Sequence, residues 1–127
     1  MILITGGAYQ GKTAYVKAHF QYEITDGAVC PLDAANSAAI LTNYHILIRR
    51  LTESGMDAES FTRDFCSENP DCIVLINEIG SGIIPMEKQE RIWRDTVGRA
   101  GCILAENADS VIRLICGIPT AIKGELL

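Results

Sequence analysis

Positive charge is scarce in this sequence. Eleven lysines and arginines face sixteen aspartates and glutamates, for a net charge of −5. Arg49-Arg50 is the one adjacent basic pair. The chain therefore lacks the basic stripe that grips a phosphate backbone, and nucleic acid is set aside as a partner. Long apolar runs are missing too. No stretch reaches the roughly 18 apolar residues of a spanning helix. Met1-Ile2-Leu3-Ile4 has no basic flank and is cut short by Thr5-Gly6-Gly7, unlike a secretory leader. A soluble, cytoplasmic protein without a membrane partner is expected. The five cysteines (Cys30, Cys66, Cys72, Cys102 and Cys116) are odd in number and include no C-x-x-C pair. That pattern fits reduced, mostly buried thiols better than a disulfide frame or a zinc site. Repeats, linkers and low-complexity segments are also lacking, so residues 1–127 read as one domain.

What is present alternates between strand and helix patterns. Ile2-Leu3-Ile4 reads as a buried strand, followed by a glycine-rich stretch and a short helix from Lys12 to Tyr22. Val29–Leu32 reads as a weak edge strand limited by Pro31. Asp33 then stands where it would cap a helix through 34–53, with Gly55 at its stop. Asp57 caps a shorter helix in which Phe61 and Phe65 share a face. Cys72–Asn77 is continuously apolar up to its end, as in a parallel strand covered on both faces. A second glycine-rich loop spans 79–85, and a helix spans 86–107 with Ile92, Thr96, Ile103 and Leu104 inward. Gly98 and Gly101 within it cost roughly 1 kcal/mol each against alanine. They imply either a close approach or a break. Val111–Cys116 is a final strand, and the segment from Gly117 has no clear form. The expected fold is α/β, a P-loop NTPase-like parallel sheet flanked by helices. About four strands are visible, and edges so few in number need covering, so a homo-oligomer is expected.

One motif carries chemistry. Gly6, Gly7, Ala8, Tyr9, Gln10, Gly11, Lys12 and Thr13 fit G-x-x-x-x-G-K-[ST] without a mismatch. In such a loop backbone N–H groups turn inward around phosphates, and the helix N-terminus adds partial positive charge. Lys12 would reach the β- and γ-phosphates, and the Thr13 hydroxyl would ligate Mg²⁺. The motif lies between a predicted strand and a predicted helix, which is its proper context. A carboxylate near the magnesium is also required, and Asp33 and Glu78 are the candidates. Asp33 serves equally well as a helix cap. Glu78 follows the strongest strand, on the edge where ligands of parallel sheets bind.

These stretches together resemble the bifunctional adenosylcobinamide kinase / adenosylcobinamide-phosphate guanylyltransferase family. Residues 2–8 running into Gly11-Lys12-Thr13 look like its opening strand and phosphate loop. Residues 75–85, from Leu75 through Asn77-Glu78 to Pro85, are similar to its V-T-N-E-V-G-x-G-I-V-P segment. Trp93-Arg94-Asp95 with Gly98-Arg99 resembles its F-R-D-x-x-G-R helix, and Gly117-Ile118-Pro119 its C-terminal end. The likeness covers the first fifth of the chain and residues 72–123, while about 20–71 does not match. It implies ATP or GTP with Mg²⁺ as the nucleotide, a cobinamide-type alcohol as acceptor, transfer of GMP through a guanylylated histidine, and trimeric assembly.

The departures lie in the middle, where the family is several tens of residues longer. His45 and Arg49 keep the H-x-x-x-R spacing of the guanylyl acceptor, but Leu41 replaces its preceding arginine. A second register puts Thr42-Asn43 on a T-N pair downstream of an acid that Asp33 would represent, with the acceptor segment deleted. His45 reads better as a half-buried helix residue than as the acceptor, and His19 as a surface one. After Gly98-Arg99 the family has an N-Q pair where this chain has Gly101-Cys102. Arg94 and Arg99 could serve a nucleotide, a neighbouring subunit or only a solvated face. Gly80 and Gly82 form either a substrate-facing loop or a plain turn. Lys12 and Glu78, with His45 as possible acceptor, are the catalytic candidates. Two functions compete: a reduced kinase from which guanylyl transfer has been lost, and a nucleotide-binding regulatory or assembly protein without transfer activity.

Overall fold

Ile4 is fully buried, and the reason is its place at the centre of a sheet. It pairs in parallel with Leu75 on one side and Ile112 on the other. The computed structural model describes residues 1–79 and 87–126. In chain order these form β1 (Ile2–Gly6), α1 (Lys12–His19), β2 (Ile24–Asp26), β3 (Ile40–Thr42) and α2 (Tyr44–Glu53). There follow α3 (Ala58–Glu68), β4 (Ile73–Asn77), α4 (Lys88–Asn107), β5 (Ser110–Ile115) and β6 (Ile118–Lys123). The sheet order is β2-β3-β4-β1-β5-β6. Every pairing is parallel except the antiparallel β5–β6. The α/β sheet flanked by helices is thus as expected, with six strands among the described residues rather than about four. Among the described residues no helix is long and apolar enough to cross a membrane.

Strand side chains alternate between faces, and the core divides accordingly. Leu3, Val74, Ile76 and Val111 pack with Leu47, Leu51, Phe65 and Leu104 from α2, α3 and α4. Ile4, Leu75, Ile112 and Leu114 pack with Tyr15 and Val16 of α1. Each such side chain contributes about 1.5–3 kcal/mol through burial. That contribution outweighs the weak intrinsic stability of an eight-residue helix such as α1. The expected caps are present. Asp57 Oδ1 accepts from the N–H groups of Glu59 at 3.0 Å and Ser60 at 3.2 Å. Gly55 ends α2 at φ 75, with Met56 N–H donating to Leu51 O at 2.9 Å, a Schellman closure.

Several expectations fail, each for a local reason. No strand forms at 29–32, because the chain turns at Asp26-Gly27. Asp26 Oδ1 accepts from Ala28 N at 2.9 Å, and Cys30 N donates to Asp26 O at 2.9 Å. The strand lies earlier, at β2. The helix expected through 34–53 is split by β3, whose Ile40 and Leu41 are buried between β2 and β4, and by Asn43 at φ 55. Asp33 therefore caps no α-helix; it lies exposed in the 3-10 helix Leu32–Ser37. In α4, Ile92 is 47% exposed while Thr96, Val97, Ala100, Ile103 and Leu104 face inward. Gly98 and Gly101 mark no break, and a Cβ on either would meet nothing within 4 Å. Only three cysteines, Cys30, Cys66 and Cys72, are buried. The segment from Gly117 is β6, joined to β5 through Cys116 and Gly117 at φ 51 and 76, the positive values that a tight type I′ hairpin requires. Gly80, Gly82 and Pro85 fall outside the described residues.

His45 is a polar group buried among these elements. It is 5% exposed, and its Nδ1 accepts the backbone N–H of Asn77 at 3.1 Å. A backbone N–H can only donate, so the ring is neutral and carries its proton on Nε2. Burial, with Lys12 and Arg49 nearby, lowers its pKa to about 4.

Two predictions follow from this packing. A Cβ at Gly6, where φ is 154, would lie 2.6 Å from the Leu114 carbonyl oxygen. Gly6→Ala should lower unfolding free energy by about 1–3 kcal/mol, read from urea midpoints; an unchanged midpoint contradicts the close approach. His45, with its folded pKa of about 4 below the ordinary 6.5, contributes stability that is full above pH 6.5 and is lost as pH falls towards 4. Urea unfolding at several pH values should show this loss in the wild type. In His45→Gln the loss across that window should be smaller, and an identical pH dependence would refute the assignment.

Candidate functional site

Residues 6–13, which carry the G-x-x-x-x-G-K-T pattern, form the connection between β1 and α1. β1 ends at Gly6, the chain loops, and Gly11 at φ 90 is the N-cap of α1. Glycine is required there because left-handed backbone is costly for other residues. A cleft of about 440 Å³ lies over this loop, lined by Ala8, Tyr9, Gln10, Gly11, Lys12 and Thr13. Its other walls are Ala14, Leu75, and the strand ends Thr42-Asn43 and Asn77. All of these stand at the carboxyl edge of the parallel strands, where ligands bind in such sheets. The first turn of α1 holds no acidic residue to neutralise its positive end.

Lys12 is buried at 8% exposure. Its Nζ donates to Gly7 O at 2.6 Å and to Gly6 O at 3.4 Å. Burial lowers its pKa, and the Glu78 carboxylate opposes that shift. The ammonium is thus held within the loop by two carbonyls, which an anion could replace as partners. Thr13 is exposed in the first turn of α1 and faces the same cleft.

The loop is also fastened from outside. Gln10 Oε1 accepts from Cys116 N at 2.5 Å, and Gln10 O accepts from Gly117 N at 3.0 Å. A Cβ on Gly11 would stand 3.4 Å from Gly117 Cα. The β5–β6 hairpin is therefore a buttress for the glycine-rich loop. Sequence reasoning missed it, because Cys116-Gly117 is not one of the dipeptides that mark a two-residue hairpin.

The other candidates separate. Glu78 N donates to Gly6 O at 2.8 Å, so the residue sits beside the loop. Its carboxylate accepts from Arg113 Nε at 3.1 Å and faces a neighbouring cavity of about 290 Å³ with Gly98 and Gly101. Asp33 does not line the cleft. An acid does stand next to Asn43, but it is Asp26, whose Oδ1 accepts from Asn43 Nδ2 at 2.9 Å. The Asp26-Gly27 turn signal at the end of Ile24-Thr25 could have located it. His45 lies behind Asn77 rather than exposed, and its carbonyl accepts from Trp93 Nε1 at 2.8 Å. Arg49 stacks over Trp93 at 3.8 Å and pairs with Glu90 at 2.8 Å. Arg99 does not reach the cleft; it pairs with Glu59 at 3.3 Å. Among the described residues no three His, Cys, Asp or Glu side chains converge as a metal cage. Magnesium bound through substrate phosphates and one or two protein oxygens needs no such cage.

Comparison with known proteins bears on these residues. The family described as cobinamide kinase / cobinamide phosphate guanyltransferase matches residues 34–122. The match includes 34–71, where the sequence alone gave no convincing likeness, and it begins beyond the phosphate loop. The bifunctional adenosylcobalamin biosynthesis protein CobU of Salmonella typhimurium (strain LT2) is 41% identical over 59 residues, which is 46% of this chain and 33% of that protein. The Escherichia coli (strain K12) protein of the same name is 39% identical over 59 residues, with the same 46% and 33% coverage. The aligned stretch thus spans about a third of these relatives' length. With more than half of its residues matched, the chain belongs to the cobinamide kinase / cobinamide phosphate guanyltransferase family.

Proposed function

We propose that the chain binds ATP or GTP with Mg²⁺ at the Gly6–Thr13 loop and transfers a phosphoryl group to a cobinamide-type alcohol in cobalamin biosynthesis. The observation that carries this reading is Lys12, buried in an intact phosphate loop at the carboxyl edge of the sheet. The loop amides and the Lys12 ammonium would hold the phosphates, and the Thr13 hydroxyl would reach the metal. Magnesium, when bound, neutralises charge on the transferring group. Glu78, beside Gly6, supplies the nearest carboxylate of the candidates and holds Lys12 towards its charged form. Asn77, fixed by His45, positions the end of β4.

Guanylyl transfer is proposed to be lost. A histidine nucleophile needs an exposed imidazole, whereas His45 is buried and its Nδ1 is engaged. Self-assembly is part of the same reading. It is supported by the edge strand β6 and by Ile115, Ile118 and Ile122, exposed at 52%, 68% and 60%.

A second reading, nucleotide binding without transfer, is favoured by one observation. No carboxylate is among the described residues lining the cleft.

Calorimetric titration with Mg-ATP and Mg-GTP should show saturable binding that Lys12→Ala abolishes, with its circular dichroism and thermal midpoint near wild type. Unchanged affinity in Lys12→Ala would overturn the site. Phosphorylated cobinamide in a transfer assay would decide for the kinase, and binding without transfer for the second reading.

A further inference from the structure

We infer that Tyr9 holds the nucleoside of the bound nucleotide by stacking, so that adenine and guanine nucleotides bind with similar affinity. This rests on the nucleotide reading of the loop and deepens it. Tyr9 lines the cleft, yet its side chain is 103% exposed. Its backbone is at φ 60, a conformation that bulky residues rarely adopt. Among the described residues Tyr9 makes no ring contact with another side chain. It is also the single aromatic in the described lining of the cleft. The ring thus contributes nothing visible to the fold, and the loop holds it in water at the mouth of the site.

Phosphates seated on the loop amides and Lys12 occupy the floor of the cleft. The nucleoside must then leave past the exposed side of the loop, where Tyr9 offers the flat apolar surface. Every base has a π-face, so stacking of this kind tolerates a change of base. Two amide side chains that line the cleft each have one group already tied to the protein. Gln10 Oε1 is taken by Cys116 N, and Asn43 Nδ2 donates to Asp26. Asn77 pairs in register with Gly6, at the phosphate end of the cleft.

The test is calorimetric titration of the full chain, Tyr9→Ala and Tyr9→Phe with Mg-ATP, Mg-GTP and Mg-tripolyphosphate. Tyr9→Ala should weaken both nucleotides by roughly tenfold to a hundredfold. Its affinity for tripolyphosphate should stay at the wild-type value, and Tyr9→Phe should bind all three probes as the wild type does. Wild-type nucleotide affinity in Tyr9→Ala would overturn the inference. So would an equal loss of tripolyphosphate, which would mean a distorted loop, or a wild-type preference of more than about tenfold for one base. Failure of the wild type to bind any probe would overturn the phosphate-loop reading itself, and with it the role of Tyr9.

Discussion

A phosphate-binding loop points its N–H groups at a ligand and so cannot satisfy them within regular structure. Its shape must therefore be imposed from outside, and in this chain the β5–β6 hairpin braces residues 6–11 of the loop proposed for that role. Gly6 lies against the Leu114 carbonyl, Gln10 bonds Cys116 and Gly117 through both its side chain and its backbone, and Gly11 passes close to Gly117. At Gly6 a side chain would collide with the Leu114 carbonyl and push β1 away from β5. The strand order follows the same constraint. β1 lies between β4 and β5, so the loop after it receives Asn77 and Glu78 from one neighbour and the hairpin from the other.

Charge around the loop is arranged in layers. Lys12 sits inside with its ammonium on two backbone carbonyls. Glu78 favours its charged form, while burial opposes it. Arg113 in turn holds the Glu78 carboxylate. Behind them His45 is kept neutral by burial and by the cations around it, and it serves as an acceptor for the β4 backbone. A histidine so placed adds no further positive charge to the loop near neutral pH, and it fixes the strand end that forms one wall of the cleft.

The sequence makes the central strands and the loop legible because both have strong local causes. Cys72–Asn77 is apolar enough to be nothing but a covered strand, and the spacing of glycines and lysine in 6–13 has one common use. Short elements are less legible. β2 and β3 are three residues each. Helical spacing of alanines around 35–39 hid β3, whose existence depends on pairing with β4 across more than thirty residues of chain. Placing the second strand at 29–32 rather than at β2 also misplaced the acid. Asp33 looked like the partner of Thr42-Asn43, whereas the fold brings Asp26 there. Arg99 and Ile92 show the limit of periodicity on a long helix, since α4 spends much of its surface on α3 and on open cavities. The buttressing hairpin rests on two adjacent residues at positive φ, one of them a cysteine, for which composition gives little warning.

The family match over residues 34–122 takes in β3 and β4, whose ends Thr42, Asn43 and Asn77 line the cleft over the glycine-rich loop. If backbone amides of residues 7–13 receive the phosphates of a nucleotide, amide chemical shifts of the isotopically labelled chain will report it during titration with Mg-ATP. Saturable shifts should concentrate in residues 6–14, with smaller ones at Thr42, Asn43 and Asn77 and at the Cys116-Gly117 turn. Saturable shifts elsewhere, with residues 6–14 unmoved, would contradict it.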